Sequence, residues 1–163
     1  MFLKKNANFK EENLKYFSAF LFFLLICFVP VFAEESNPID EIFNTVEISD
    51  NSQASINKLS NMYYKAWKRE FENVSKIFRS QITEKRVLDD FDRYIKAVEK
   101  FGEYAGTIGS MNNFGGTLGI CESLDASAEH YKFATLFLVK SLNKYNRLHG
   151  KEPYKWVFNG FRE

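Results

Sequence analysis

Residues 101–121 read FGEYAGTIGSMNNFGGTLGIC, and they hold six of the eight glycines in the chain. Glycine-rich turns cradle phosphates, so this stretch decides between a nucleotide-binding fold and a connection between helices. A phosphate loop of the Walker type requires G-x-x-x-x-G-K-[ST], and no lysine follows any of these glycines. A dinucleotide fingerprint requires G-x-G-x-x-G after a strand, and both the pattern and the strand are missing. Gly102 and Gly106 instead lie four residues apart, one helical turn, where absent side chains allow a neighbouring helix to come close. Gly115-Gly116-Thr117 reads as a turn whose Thr117 caps the helix that follows. The stretch reads as a hinge between two helices.

Working outward, the apolar series Ile56, Leu59, Tyr63, Trp67, Phe71, Val74, Phe78 and Ile82 steps by three or four across residues 52–82. That stretch contains no proline or glycine, and Lys58, Lys65, Lys68, Arg69, Glu72 and Lys76 fall on its other face. A second series, Leu88, Phe91, Ile95, Val98, Phe101 and Ala105, predicts a helix that the glycines end near Gly106. A third, Leu124, Ala128, Tyr131, Thr135, Leu138, Leu142 and Tyr145, predicts a helix stopped by Gly150 and Pro153. Short connections force neighbours to reverse, so the expected fold is all-α: an antiparallel three-helix bundle with a glycine-rich turn between helices 2 and 3. The tail EPYKWVFNGFRE alternates in its aromatic residues like an extended arm, and Tyr154, Trp156, Phe158 and Phe161 are expected to fold back over the open end of the bundle.

The N-terminus reads as an export signal. Lys4, Lys5, Lys10 and Lys15 precede the uncharged run YFSAFLFFLLICFVPVFA, Tyr16 to Ala33, and polar sequence begins at Glu34. Cleavage after Ala33 is expected, with an uncleaved anchor as the alternative, since eighteen apolar residues are at the lower limit for spanning a bilayer. The organisation is then a signal peptide at 1–33, an acidic arm at 34–51, a helical domain at 52–150 and an aromatic tail at 151–163. Removing Lys4, Lys5, Lys10, Lys15, Glu11 and Glu12 from the whole-chain counts of 22 and 21 leaves 18 basic and 19 acidic residues. That balance speaks against nucleic acid, which needs a basic face. Residues 34–57 carry Glu34, Glu35, Asp40, Glu41, Glu47 and Asp50 with no Lys or Arg, either a solvated leader or a segment that docks on a basic partner.

Loss of Cys27 with the signal leaves Cys121 as the one thiol, so no disulfide forms within the chain and the core must hold the fold. Cys121 is either a buried small apolar residue, a bridge between two chains in a dimer, or reactive. His130 and His149 have no Cys, Asp or Glu at a metal-ligand spacing, so no metal and no cofactor is expected, and His130 reads as a surface residue. The carboxylates Asp89, Asp90 and Asp92, Glu99 and Glu103, and Glu122, Asp125 and Glu129 fall on hydrophilic faces with ordinary acidity expected; no G-x-S-x-G elbow is present. The chain is not expected to be an enzyme.

Three segments in this order resemble the LprI-like lysozyme inhibitor family of exported bacterial proteins. They are Y-I-K-A-V-E-K-F-G-E-Y (Tyr94 to Tyr104), F-G-G-T (Phe114 to Thr117) and A-S-A-E-H-Y-K-F-A-T-L-F-L (Ala126 to Leu138). Family members show W-I-x-[FY]-R-D, a G-G-[ST] turn, and a later helix with Arg followed by Thr or Ala and Leu. Tyr94 stands in place of the Trp, Gly115-Gly116-Thr117 for the turn, and Thr135-Leu136 for the residues after the Arg. The chain departs at Val98-Glu99, where the family has R-D, and at Ala134, where it has Arg. Two family cysteines would fall near Gly102 or Glu103 and near Ala126, and Cys121 matches neither. The resemblance spans about residues 52–142. It implies an envelope protein that binds lysozyme and carries over no contact residue.

The expected function is therefore recognition: an exported, periplasmic or secreted helical protein that binds a protein partner, with lysozyme inhibition by occlusion as its concrete form. It would have no membrane attachment once the signal is cleaved. A structural or assembly protein of the envelope is the alternative. The expected contact residues are Ser110, Met111, Asn112, Asn113 and Phe114, at the tip between two rigid helices.

Overall fold

Ser52 opens the longest apolar series, and its hydroxyl accepts the Ser55 amide at 3.2 Å to cap the helix that follows. The computed structural model describes residues 37–47 and 50–160; the expectations for the signal peptide, for residues 34–35 and for Phe161 lie outside them. Four helices occupy the described residues: α1 (Pro38–Phe43), α2 (Gln53–Gln81), α3 (Lys85–Gly109) and α4 (Thr117–Leu148). No strand occurs among them, and the chain is all-α.

Several boundaries differ from the sequence reading. Helix α3 does not stop near Gly106 but runs to Gly109, and α4 starts seven residues before Leu124. Thr117 is not the cap; Gly116 holds that position and Thr117 is the first helical residue. The glycines do not break these helices because atoms of the facing elements, side chains at Gly102, Gly106 and Gly109 and the Asn113 backbone at Gly119, fill their missing side-chain volume, and that packing outweighs their poor intrinsic propensity.

Helix α4 lies along both α2 and α3, which scarcely touch each other. Gln53 meets Cys121 at one end, and Phe78 meets Tyr145 at the other, so α2 and α4 run in the same direction. Tyr94 meets Phe137 and Gly106 meets Ser123, so α3 runs opposite to α4. The core is built mainly from Trp67, Phe71 and Val74 of α2 and Ala128, Tyr131, Ala134, Leu138, Val139 and Leu142 of α4, with Val98 from α3. Phe101, read as a core position, is exposed; Gly102 takes the inward place beside it.

Between α3 and α4 the contact is made by small residues. A Cβ at Gly106 would lie 2.6 Å from the Ser127 hydroxyl and 2.8 Å from that of Ser123, and one at Gly109 would overlap the Cβ of Ala126. The Ser127 hydroxyl also donates to the Gly102 carbonyl at 2.9 Å. The close approach expected at Gly102 and Gly106 is present, and Gly109 extends it by one turn.

Residues 37–47 and 150–160 cover the side of α2 and α4 away from α3. Residues 37–47 are not a free acidic leader: Asn37 caps α1, Ile39 is fully buried, and Asp40 pairs with Lys132 of α4 at 2.7 Å and accepts the Tyr63 hydroxyl at 2.8 Å. The tail does not cap the open end. From Gly150 (φ +63°) it turns back and runs extended along α2. Asn143 Oδ1 accepts the Tyr154 amide at 2.6 Å, Trp156 packs edge-on to Trp67 at 6.2 Å, and Phe158 stacks on Phe43 at 6.4 Å. The tail takes this path because α2 offers a buried carboxylate, Glu70, midway along it. Its Oε1 accepts the Tyr154 hydroxyl at 2.7 Å and the Val157 amide at 2.9 Å, and its Oε2 accepts the Phe158 amide at 3.0 Å.

The α1 dock has a pH dependence. Burial raises the Asp40 carboxyl, but hydrogen bonds from Lys132, Asn37 and Tyr63 outweigh it and hold the group below the usual carboxylate range. A depressed carboxylate contributes stability above its unfolded pKa, about 3.9, and that stability is lost as pH falls through the folded value. Thermal stability is therefore expected to be level near pH 7 and to fall below about pH 4, with a shallower acid limb in Asp40→Asn. Parallel acid limbs for the two proteins would remove Asp40 as the cause.

Candidate functional site

The five residues expected at the tip divide by role. After α3, a 3-10 turn (Met111–Asn113) carries the chain round to α4. Ser110 is buried, with its hydroxyl donating to the Thr107 carbonyl at 3.2 Å. Asn113 is half-buried: its Nδ2 donates to Glu122 Oε1 at 2.9 Å, and its carbonyl accepts the Gly116 amide at 2.9 Å and lies against Gly119. These two residues shape the turn. Asn112 is exposed, and Met111 and Phe114 are 70% and 79% exposed, so only these three present a surface.

Ile108, Leu118 and Ile120 are also exposed beside them. Single exposed apolar residues are ordinary, whereas five large ones at one end of two packed helices form a patch of the kind that marks an interaction site. The sequence reading named polar and aromatic residues at this tip; Ile108, Leu118 and Ile120 add apolar surface that it did not include. Ile120 stands out of the third series because that series was started at Leu124. The local rigidity comes from the glycines: α3 and α4 meet at Gly106 and Gly109, directly below the turn, and Gly115 adopts φ +80° to reverse the chain.

Elsewhere the titratable groups serve packing. Cys121 is buried, its thiol donating to the Leu118 carbonyl at 3.0 Å and accepting from Gln53 at 3.7 Å, so a bridge between chains through it would require the end of α4 to open. His130 is not a plain surface residue: its Nε2 lies 2.9 Å from the Val98 carbonyl and so carries the proton, tying α4 to α3. Asp125 departs from ordinary acidity. Burial beside α2 raises its pKa and the Ser60 hydroxyl opposes the shift. Tyr131, wedged between α2 and α3, is pushed up to about 12 by burial, then by Tyr64 and the charges of Glu99, Glu72 and Glu103. Among the described residues no group of His, Cys, Asp or Glu is arranged to hold a metal ion, and no helix is long and apolar enough to cross a membrane.

Glu70 is the residue the sequence reading missed. The sequence reading gave it no role, yet it sits three residues after Trp67 and four before Val74, which is core spacing. A cleft of about 210 Å³ opens beside it between α2 and the tail, edged by Lys65 and Arg69. Glu70 itself faces the tail, with both oxygens occupied by the three donors. This carboxylate works as a latch.

Comparison of the chain with protein-family models, with curated proteins and with solved structures gives no match in any of the three.

Proposed function

We propose that this chain is an exported binding protein, an antiparallel three-helix bundle whose tip engages a protein partner, and that the partner is lysozyme, inhibited by occlusion of its cleft. One observation carries the reading: Met111, Asn112 and Phe114 project from a turn held by glycine-packed helices, with Ile108, Leu118 and Ile120 around them. A protruding apolar tip on a rigid base suits insertion into a concave site, because little ordering is required on binding. The resemblance of the F-G-G-T turn and its flanking segments to the LprI-like family supports the choice of lysozyme. An envelope assembly role without inhibition is the second reading, favoured by Phe133 and Phe137, which are exposed on α4 away from the tip.

The core described above lies within residues 37–160, so a chain of residues 34–163 contains all of it. That chain should be titrated against a c-type lysozyme, following cell-wall lysis and direct binding together at two salt concentrations. Saturable inhibition is expected; no binding on the order of tens of micromolar would remove the lysozyme reading. The double variant Met111→Ser/Phe114→Ser should weaken inhibition at least about tenfold, since exposed anchors of this size contribute roughly 1–2 kcal/mol each to an interface. Its thermal midpoint should stay near that of the parent, because both side chains already face solvent. Unchanged inhibition by the variant would move the contact away from the tip.

A further inference from the structure

We propose that the outward face of α4 is a self-association surface, and that its occupant is a second copy of this chain lying antiparallel across it. This inference does not depend on the identity of the partner at the tip. The face is bounded on one flank by Lys132 and Glu129, which meet Asp40 and Tyr63, and on the other by His130 and Phe137, which meet Val98 and Tyr94. Between these flanks, Leu118, Phe133, Lys140 and Lys144 are exposed along the helix, and Asp125 and Glu129 are exposed at the edge beside α2, against Ser60 and Tyr63.

The charges are segregated along α4. From Thr117 to His130 the helix carries Glu122, Asp125 and Glu129 and no base; from Tyr131 to Leu148 it carries Lys132, Lys140, Lys144 and Arg147 and no acid. The helix dipole favours this order only in the first and last turns. Asp125, Glu129 and Lys140 all lie further in than that, so the dipole does not account for them. Phe133, 78% exposed, stands at the midpoint of the helix.

A two-fold axis at Phe133 makes this pattern complementary to itself. Phe133 then meets the partner's Phe133, and Lys140 approaches the turn that holds the partner's Asp125 and Glu129. Leu118 and Leu148, each fifteen residues from Phe133 and both exposed, fall at the same end of the interface on its two edges. A parallel arrangement would instead set acids on acids and bases on bases. The exposed Phe101 lies two turns along α3 from Tyr94 and so widens the apolar part of the face.

The size of the face fixes the strength. With 32 residues, α4 is roughly 48 Å long, so a strip about 10 Å wide hides roughly 480 Å² per copy. That is below the ~800 Å² per partner of a standard stable interface, so the dimer is weak and concentration-dependent. The test is sedimentation equilibrium of residues 34–163 up to about 100 micromolar, a range suited to weak association. A reversible monomer–dimer equilibrium is expected, with the dissociation constant raised at least tenfold by Phe133→Asp and by Lys140→Glu/Lys144→Glu. Circular dichroism of each variant should match the parent, which separates lost association from lost fold. A further mixture is decisive for polarity. Lys140→Glu/Lys144→Glu has a mainly acidic outer face, Asp125→Lys/Glu129→Lys a mainly basic one, and the two should pair when mixed though neither pairs with itself. A parent that stays monomeric throughout, or a dimer that persists in folded Phe133→Asp, would overturn the proposal.

Discussion

Glu70→Ala is expected to free the C-terminal tail from α2 and to lower global stability by about 3–4 kcal/mol. In the parent, the carboxylate accepts from the Tyr154 hydroxyl and from the main-chain amides of Val157 and Phe158, on a side chain only 1% exposed. Removing it leaves the buried Tyr154 hydroxyl and two part-buried amides without an acceptor, and an unsatisfied buried group costs roughly 1–3 kcal/mol. The total is capped, because the tail can leave the groove and find water, so the loss cannot exceed the docking energy of Tyr154, Trp156 and Phe158. For a domain of this size the thermal midpoint should fall by about 10–15 °C. Limited proteolysis should then cut within residues 151–160 before any other site, and Trp156 fluorescence should move toward that of a solvated indole. Glu70→Gln has the same shape and distinguishes charge from bulk: its amide nitrogen cannot accept from a backbone N–H, so it should lose most of the same stability. A Gln variant as stable as the parent would mean that packing alone holds the tail.

Gly109→Ala is the second large effect, and its sign is diagnostic. In an unconstrained helix, replacing glycine by alanine stabilises by about 1 kcal/mol. Here the new methyl would overlap the Cβ of Ala126 and lie 3.0 Å from the Glu122 carbonyl, so α3 must move off α4. Overpacking of this kind destabilises by about 1–3 kcal/mol, and a backbone shift at the base of the tip belongs at the upper end of that range. Chemical denaturation should give a loss of about 2–3 kcal/mol. Pairing Gly109→Ala with Ala126→Gly moves the methyl from one helix to the other and should recover much of it, with a coupling energy above about 1 kcal/mol. Additive effects in that cycle would show that the two helices do not rely on this contact.

The helices were legible in the sequence because their apolar residues recur at three and four and nothing interrupts them. Their ends were not, since the boundary residues answer to tertiary contacts. Thr117 has good capping chemistry, yet Gly116 sits at the cap because the turn from Asn113 brings its carbonyl against Gly119. Phe101 keeps the helical period that points inward; Gly102 takes that place instead because its missing side chain makes room for the Tyr131 ring, which a Cβ there would crowd at 3.1 Å. Residues 110–114 do connect α3 to α4, but the apolar character of that end was not legible, because Ile108, Leu118 and Ile120 fell outside both apolar series. Glu70 was the least legible. Its spacing matched the core and its charge argued against it, and only the tail folded over it, eighty-four residues later, reconciles the two.

The latch has a consequence for how the chain is made. Synthesis, and any threading through a translocation pore, delivers the N-terminus first. The acceptor at Glu70 is thus delivered long before its donors at Tyr154, Val157 and Phe158. Until those last residues are free, the groove beside Trp67 stays uncovered and a carboxylate stands in it with nothing to bind. The fold therefore closes from residues 154–158, and a polypeptide cut short near position 150 would lose part of its interior.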